Sequence, residues 1–96
     1  MKFNVFGQKI RLIVKSGLIE SGARALFLPG ESKILIDSTL KGEDYMQTIL
    51  HEIVHSVIHR VGINQSGVTD GIEEILCESI STALVENFSI KHKKSP

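Results

Sequence analysis

Tryptophan is absent from this 96-residue chain, and cysteine occurs once, at Cys77. A lone cysteine excludes an internal disulfide and predicts a reducing, cytoplasmic setting. Surplus charge is missing as well. Eleven Lys and Arg balance eleven Asp and Glu, for a formal net charge of zero with histidine neutral. Nucleic-acid binders draw affinity from excess basic charge, so no nucleic-acid partner is expected. No apolar run approaches the roughly 18 residues that a membrane span needs. The opening MKFNVFGQKI has one Lys before a short, broken apolar stretch. That lacks the apolar h-region of a secretory signal, and no membrane partner is expected. What remains is a chain 42% apolar and 23% charged, too apolar for disorder and ordinary for a globular protein. Its length suits one compact domain over 1–96, with a single small core.

The pattern changes near residue 42. Before it, short apolar segments at 2–6, 9–15, 23–28 and 33–37 read as strands. Gly7, the glycine-bearing stretch 16–22 and Pro29-Gly30 separate them. Proline presets φ and glycine accepts positive φ, so these are turns, and a meander or set of hairpins is predicted. After residue 42, apolar residues fall at Met46, Ile49, Leu50, Ile53, Val54, Val57, Ile58 and Val61, the three-and-four spacing of a helix. Asp44 with Gln47 predicts a capping-box start, and Gly62 a glycine C-cap. A polar loop covers 64–69. Asp70 and Glu73 repeat the capping spacing and open a second helix, with its apolar stripe at Ile72, Ile75, Leu76, Ile80, Ala83 and Leu84. The basic tail HKKSP reads as a frayed end. The fold class expected is α+β: a small, mainly antiparallel sheet packed on two main helices, about 44–61 and 70–90.

The first helix carries His51-Glu52-Ile53-Val54-His55, an H-E-x-x-H. Residues four apart share a helix face, with Cβ atoms about 5–6 Å apart. Two imidazoles so placed can converge on one zinc ion. Glu52 is badly placed to be a third ligand and well placed beside the water, where a carboxylate serves as general base. An open zinc site needs one more protein ligand. The metzincin arrangement fails, because Ile58 and Val61 stand where its Gly and His would be. His59 continues the same face, but eight residues of straight helix rise about 12 Å from His51 to His59. It is expected to be exposed or to support the site from outside. A glutamate on the following helix fits better. Glu74 is the favoured ligand, with Glu78 and Glu73 as alternatives. Glu78 can instead orient an imidazole N–H, and Glu73 has the capping role open to it. Cys77 reads as a small buried hydrophobe in preference to a ligand. Tyr45 reads as a boundary aromatic, and Arg11, Arg24 and Arg60 have no constellation around them.

HEIVH followed by E-x-x-x-E on the next helix resembles the gluzincin branch of the zincin metallopeptidases, whose second motif is usually E-x-x-x-D. The run KILIDSTL, then MQTILHEIVHSVIHRVGI, then IEEILCESISTALVENF looks like small phage- and prophage-type metallopeptidases, distant relatives of the ImmA/IrrE regulatory proteases. The likeness covers roughly 33–88 and implies a minimal zincin-like domain. It also implies that His51, His55 and Glu74 bind one Zn²⁺ per chain and that Glu52 activates water. Glu78 stands where the family more often has Asp. The resemblance further implies that the strand at about 33–37 is the sheet edge beside the cleft, where a peptide substrate can pair by strand addition. A zinc-dependent peptidase acting on a peptide or protein, with a regulatory protein partner, is therefore expected. The competing expectation is a non-catalytic protein-binding module that keeps the scaffold or a structural zinc. Structural sites usually close with four Cys-rich ligands and have no use for Glu52.

Overall fold

The computed structural model describes residues 1–62 and 69–91. Four strands come first: β1 (Lys2–Val5), β2 (Gln8–Lys15), β3 (Ala25–Leu28) and β4 (Lys33–Asp37). Two helices follow, α1 (Gly42–Val61) and α2 (Asp70–Asn87). The domain is α+β, as the pattern predicts. Between β1 and β2, Phe6 and Gly7 both take positive φ, 49° and 82°. Two consecutive positive φ values are what a two-residue type I′ hairpin turn requires, and Val5 pairs with Gln8 across it.

The sheet order is β1-β2-β4-β3. The outer pairs are antiparallel and the central β2–β4 pair is parallel. It is therefore a mixed sheet, two hairpins side by side with no simple meander. A parallel pair needs a long crossover, and residues 16–32, β3 included, supply it. Asp37 pins that crossover. Its carboxylate accepts the backbone N–H groups of Leu18 (2.9 Å), Ile19 (3.1 Å) and Thr39 (2.9 Å), and the Thr39 hydroxyl as well. These hydrogen bonds, led by the Thr39 hydroxyl, hold the Asp37 carboxyl below its ordinary pKa.

One correction follows from the order: the 33–37 strand lies inside the sheet, and the edges are β1 and β3. β4 carries Ile34 and Ile36, both fully buried, and has a strand on each side. The shorter β3, with Leu26 exposed, takes the edge.

Helix α1 crosses one face of the sheet. Ile49 is buried in a core with Val5, Ile10, Leu12, Ile34 and Ile36, and Tyr45, Ile53 and Val57 pack against it. Full burial stabilises each such aliphatic side chain by about 1.5–3 kcal/mol. The helix starts at Gly42, two residues before the expected capping box. Lys41 is its N-cap, without a side-chain cap bond. Asp44 lies within the first turn, where its charge suits the helix dipole, and makes a loose ion pair with Arg24 at 3.7 Å. Gly62 closes the helix as expected, at φ 72° with its N–H donated to the Ile58 and His59 carbonyls.

Helix α2 packs chiefly on α1. Its N-cap is Thr69, whose hydroxyl accepts the Ile72 N–H at 3.3 Å. The Asp70–Glu73 box is thus replaced, which frees Glu73 for other work. The helix ends at Asn87, short of the expected 90, where Phe88 is extended. Most of the 64–69 loop, along with residues 92–96 of the tail, lies outside the described residues. The larger surprise is which face is inside. Ile72, Ile75, Leu76 and Ile80 are 49%, 66%, 38% and 42% exposed, while the buried residues of α2 are Cys77 and Ser81. The apolar stripe faces outward, and the face bearing the acids meets α1. No helix among the described residues is long and apolar enough to cross a membrane.

Candidate metal centre

The H-E-x-x-H residues lie where α1 meets both its neighbours. His51 and His55, one turn apart, turn their rings toward α2, with centroids 4.9 Å apart. Their Nε2 atoms stand 3.2 Å from each other. The Glu74 carboxylate reaches across from α2, one oxygen 2.6 Å from His51 Nε2 and the other 3.0 Å from His55 Nε2. Tetrahedral zinc with bonds of 2.0–2.1 Å sets its nitrogen and oxygen ligands about 3.3 Å apart. The 3.2 Å between the two Nε2 atoms matches that spacing, whereas the Glu74 contacts at 2.6 and 3.0 Å are shorter, as hydrogen bonds are.

The other ring nitrogens are also engaged. His51 Nδ1 lies 2.9 Å from Glu78 Oε2, and His55 Nδ1 lies 2.6 Å from Glu73 Oε2. An imidazole whose Nδ1–H is donated to a carboxylate presents a lone pair at Nε2, the tautomer a metal requires. Glu78 is itself held by the Gln47 side-chain amide at 3.0 Å, which also donates to the Thr82 hydroxyl at 2.8 Å. If both Nδ1 atoms donate, the two Nε2 atoms and the Glu74 carboxylate are all acceptors, in contacts of 2.6 to 3.2 Å. Such a cluster of acceptors needs a proton or a cation between them.

Glu52 lies on the buried side, 8% exposed. Burial pushes its carboxyl pKa up, opposed by the two histidines, raised further by Glu74, and lowered by a hydrogen bond accepted from the Phe27 backbone N–H. Two clefts meet at this residue, of about 280 and 400 Å³, and Ala25 of edge strand β3 and Glu74 line both. Edge strand β3 therefore forms the wall of the site, the place that the resemblance implied for the 33–37 strand.

Cys77 is fully buried on α2, as expected of it. It shares a helix face with Glu73, Glu74 and Glu78, and the donor atoms of His51, His55 and Cys77 lie within 4.8 Å of one another. The three form a group that could hold a metal ion. Burial first, then Glu74, Glu73 and Glu52, push the Cys77 thiol up to about 12, so without a cation nearby it stays protonated. His59 is exposed and stands edge-on to Phe27, with centroids 5.9 Å apart. It takes no part in the cluster. Tyr45 packs on the core.

Three residues at the site carry roles that the sequence had not suggested. Glu73 supports His55, whereas capping had been its expected role. Gln47 holds Glu78. Arg24, given no role by its neighbours in sequence, lines the smaller cleft beside His51 and Glu52. The spacing Glu73, Glu74, Cys77, Glu78 is a three-and-four helical face, and that face was the available signal for the first of them. Neither protein families, nor curated proteins, nor solved structures give a match to this chain.

Proposed function

We propose that this chain is a zinc-dependent peptidase, in which His51, His55 and Glu74 hold the metal and Glu52 is the general base. The observation that carries this reading is the convergence of the two Nε2 atoms and the Glu74 carboxylate, each imidazole being backed by its own glutamate. The likeness to gluzincins supports the same assignment. Zinc bound there would supply Lewis acidity, polarising a carbonyl and making water more acidic. Glu52, at the junction of the clefts, takes the proton from the attacking water and passes it to the departing amine. Edge strand β3 has a neighbouring strand on one side only and borders the clefts, so an extended peptide can pair there as an added strand once the Phe27 N–H, held by Glu52, is released. The substrate class is thus an extended segment of a peptide or protein, and the expected setting is the cytoplasm.

Two measurements on untagged protein test this. Mass spectrometry should find near one zinc per chain in the wild type and in Glu52→Gln, and background levels in His51→Ala and His55→Ala. Hydrolysis of a peptide library should fall about 10²–10⁴-fold in Glu52→Gln, the usual contribution of a general base. Wild-type protein that takes up no metal when zinc is offered overturns the centre. Cleavage by Glu52→Gln at the wild-type rate overturns the base. Stoichiometric metal with no cleavage would leave a non-catalytic binding module.

A further inference from the structure

Cys77 is the one strong metal-ligand type at this site that the peptidase reading leaves without a task. Three observations bear on it. Its sulfur belongs to a group with His51 and His55 whose donor atoms all lie within 4.8 Å. Tetrahedral zinc would set a sulfur and a nitrogen ligand about 3.6 Å apart, so a small adjustment of the side chain brings the sulfur into range. The second is where α2 puts its apolar residues. Ile72, Ile75, Leu76 and Ile80 face solvent. Cys77 is therefore not one residue of a buried aliphatic stripe. It sits among Glu73, Glu74, Glu78 and Ser81 on the face turned to the histidines. The third is the contrast in exposure between the candidate ligands. The side chains of His51 and His55 are 13% and 16% exposed and Cys77 is fully buried, but the Glu74 side chain is 59% exposed.

We infer that the Cys77 sulfur is a metal donor of this centre, joining His51 and His55 as the inward, permanent ligands and leaving exposed Glu74 as the exchangeable arm. The inference rests on the metal site proposed above and changes what that site is. A histidine–histidine–thiolate core selects borderline and soft divalent cations such as Zn²⁺, Co²⁺ and Cd²⁺ over Mg²⁺ or Ca²⁺. With Glu74 also bound, four protein ligands close the centre. A position for water or a substrate carbonyl then opens when Glu74 leaves, or when the metal takes a fifth ligand. As the sulfur binds, the thiol proton passes to solvent.

X-ray absorption spectroscopy on the zinc-loaded full chain tests this directly. The expected result is one sulfur scatterer at about 2.3 Å beside nitrogen and oxygen at about 2.0–2.1 Å. In the cobalt-loaded protein, a thiolate-to-cobalt charge-transfer band should appear in the near ultraviolet and disappear in both Cys77→Ala and Cys77→Ser. Glu74→Ala should keep near one metal per chain, and Glu74→Ala with Cys77→Ala should lose it. Full zinc occupancy with only nitrogen and oxygen scatterers overturns the inference and leaves the site of His51, His55 and Glu74 standing. Loss of the metal in Glu74→Ala alone does the same. No uptake of zinc or cobalt by wild-type protein overturns both. The wild-type spectrum decides the matter even if a Cys77 variant fails to fold.

Discussion

Helix α1 turns Ile49, Ile53 and Val57 to the sheet, whereas α2 leaves Ile72, Ile75, Leu76 and Ile80 exposed and presses Glu73, Glu74 and Glu78 toward its neighbour. The two helices look alike in hydropathy pattern and pack in opposite senses. The difference lies in what each one meets. The sheet offers α1 an aliphatic surface, and area removed from water decides the orientation. Helix α2 meets chiefly the second face of α1, where His51 and His55 project. There the acids of α2 face the imidazoles, and the apolar stripe is left outside. Only small side chains, Cys77 and Ser81, are fully buried on the α2 side. Periodicity reports that a helix has two faces. The neighbour selects which one is used.

That contrast can be broken or sharpened by experiment. The largest effect belongs to the sheet side of α1. Ile49→Ala should cost about 2–5 kcal/mol, as large-to-small changes in a close-packed core do, read from urea denaturation midpoints. A loss below about 1 kcal/mol would mean that α1 is not held by this core.

Metal dependence should come next and fall on α2. Zinc at about one hundred times its dissociation constant should stabilise the fold by about 2.7 kcal/mol. Adding a chelator should remove that gain and speed amide exchange in α2 well beyond that in β2 and β4. Uniform acceleration across the chain would refute a difference between the helices.

Third, Glu73→Gln should weaken zinc binding about 10–100-fold, the usual effect of losing a carboxylate behind a ligating imidazole. Competition with a chromophoric chelator measures it. An unchanged affinity would return Glu73 to a helix-end role.

Asp37 offers a test by pH on the sheet side. Its folded pKa is depressed, so its contribution is present above the unfolded value of about 3.9 and is lost as pH falls through the folded value. The stability difference between wild type and Asp37→Asn should be constant above about pH 5 and shrink below about pH 4. A difference that grows on acidification would contradict the clamp on the first part of the 16–32 crossover.

The smallest effect is expected at the outward stripe. Ile75→Gln should change stability by no more than about 0.5 kcal/mol, as surface substitutions do. A loss several times larger would show that this face is covered.

Much of the site was legible because its chemistry is local. His51, Glu52 and His55 lie within five residues of one helix, so their spacing alone sets their shared orientation. Glu78 behind His51 could be read for a related reason, since one face of the next helix was the natural place for a supporting carboxylate. Glu73 was read as a cap, because Asp70 stands three residues before it. Thr69 took that role and left the acid to His55. Gln47 was likewise assigned to a cap that the helix, starting at Gly42, does not use. Cys77 beside Ile75 and Leu76 looked apolar by its sequence neighbours, which turn out to point the other way.

The sequence by itself determined short strands before two amphipathic helices, a break between the first two strands at Gly7, the close of α1 at Gly62, and an imidazole pair one turn apart on α1. All of these are set by dihedral preference and spacing within a few residues. Only the tertiary structure decided that β4 lies inside the sheet and β3 at its edge beside the clefts. It alone decided that Asp37 gathers a crossover from nearly twenty residues upstream, and that α2 turns its acids and Cys77 inward. Those outcomes depend on which surfaces meet after the chain has folded back on itself, and no local spacing encodes that meeting.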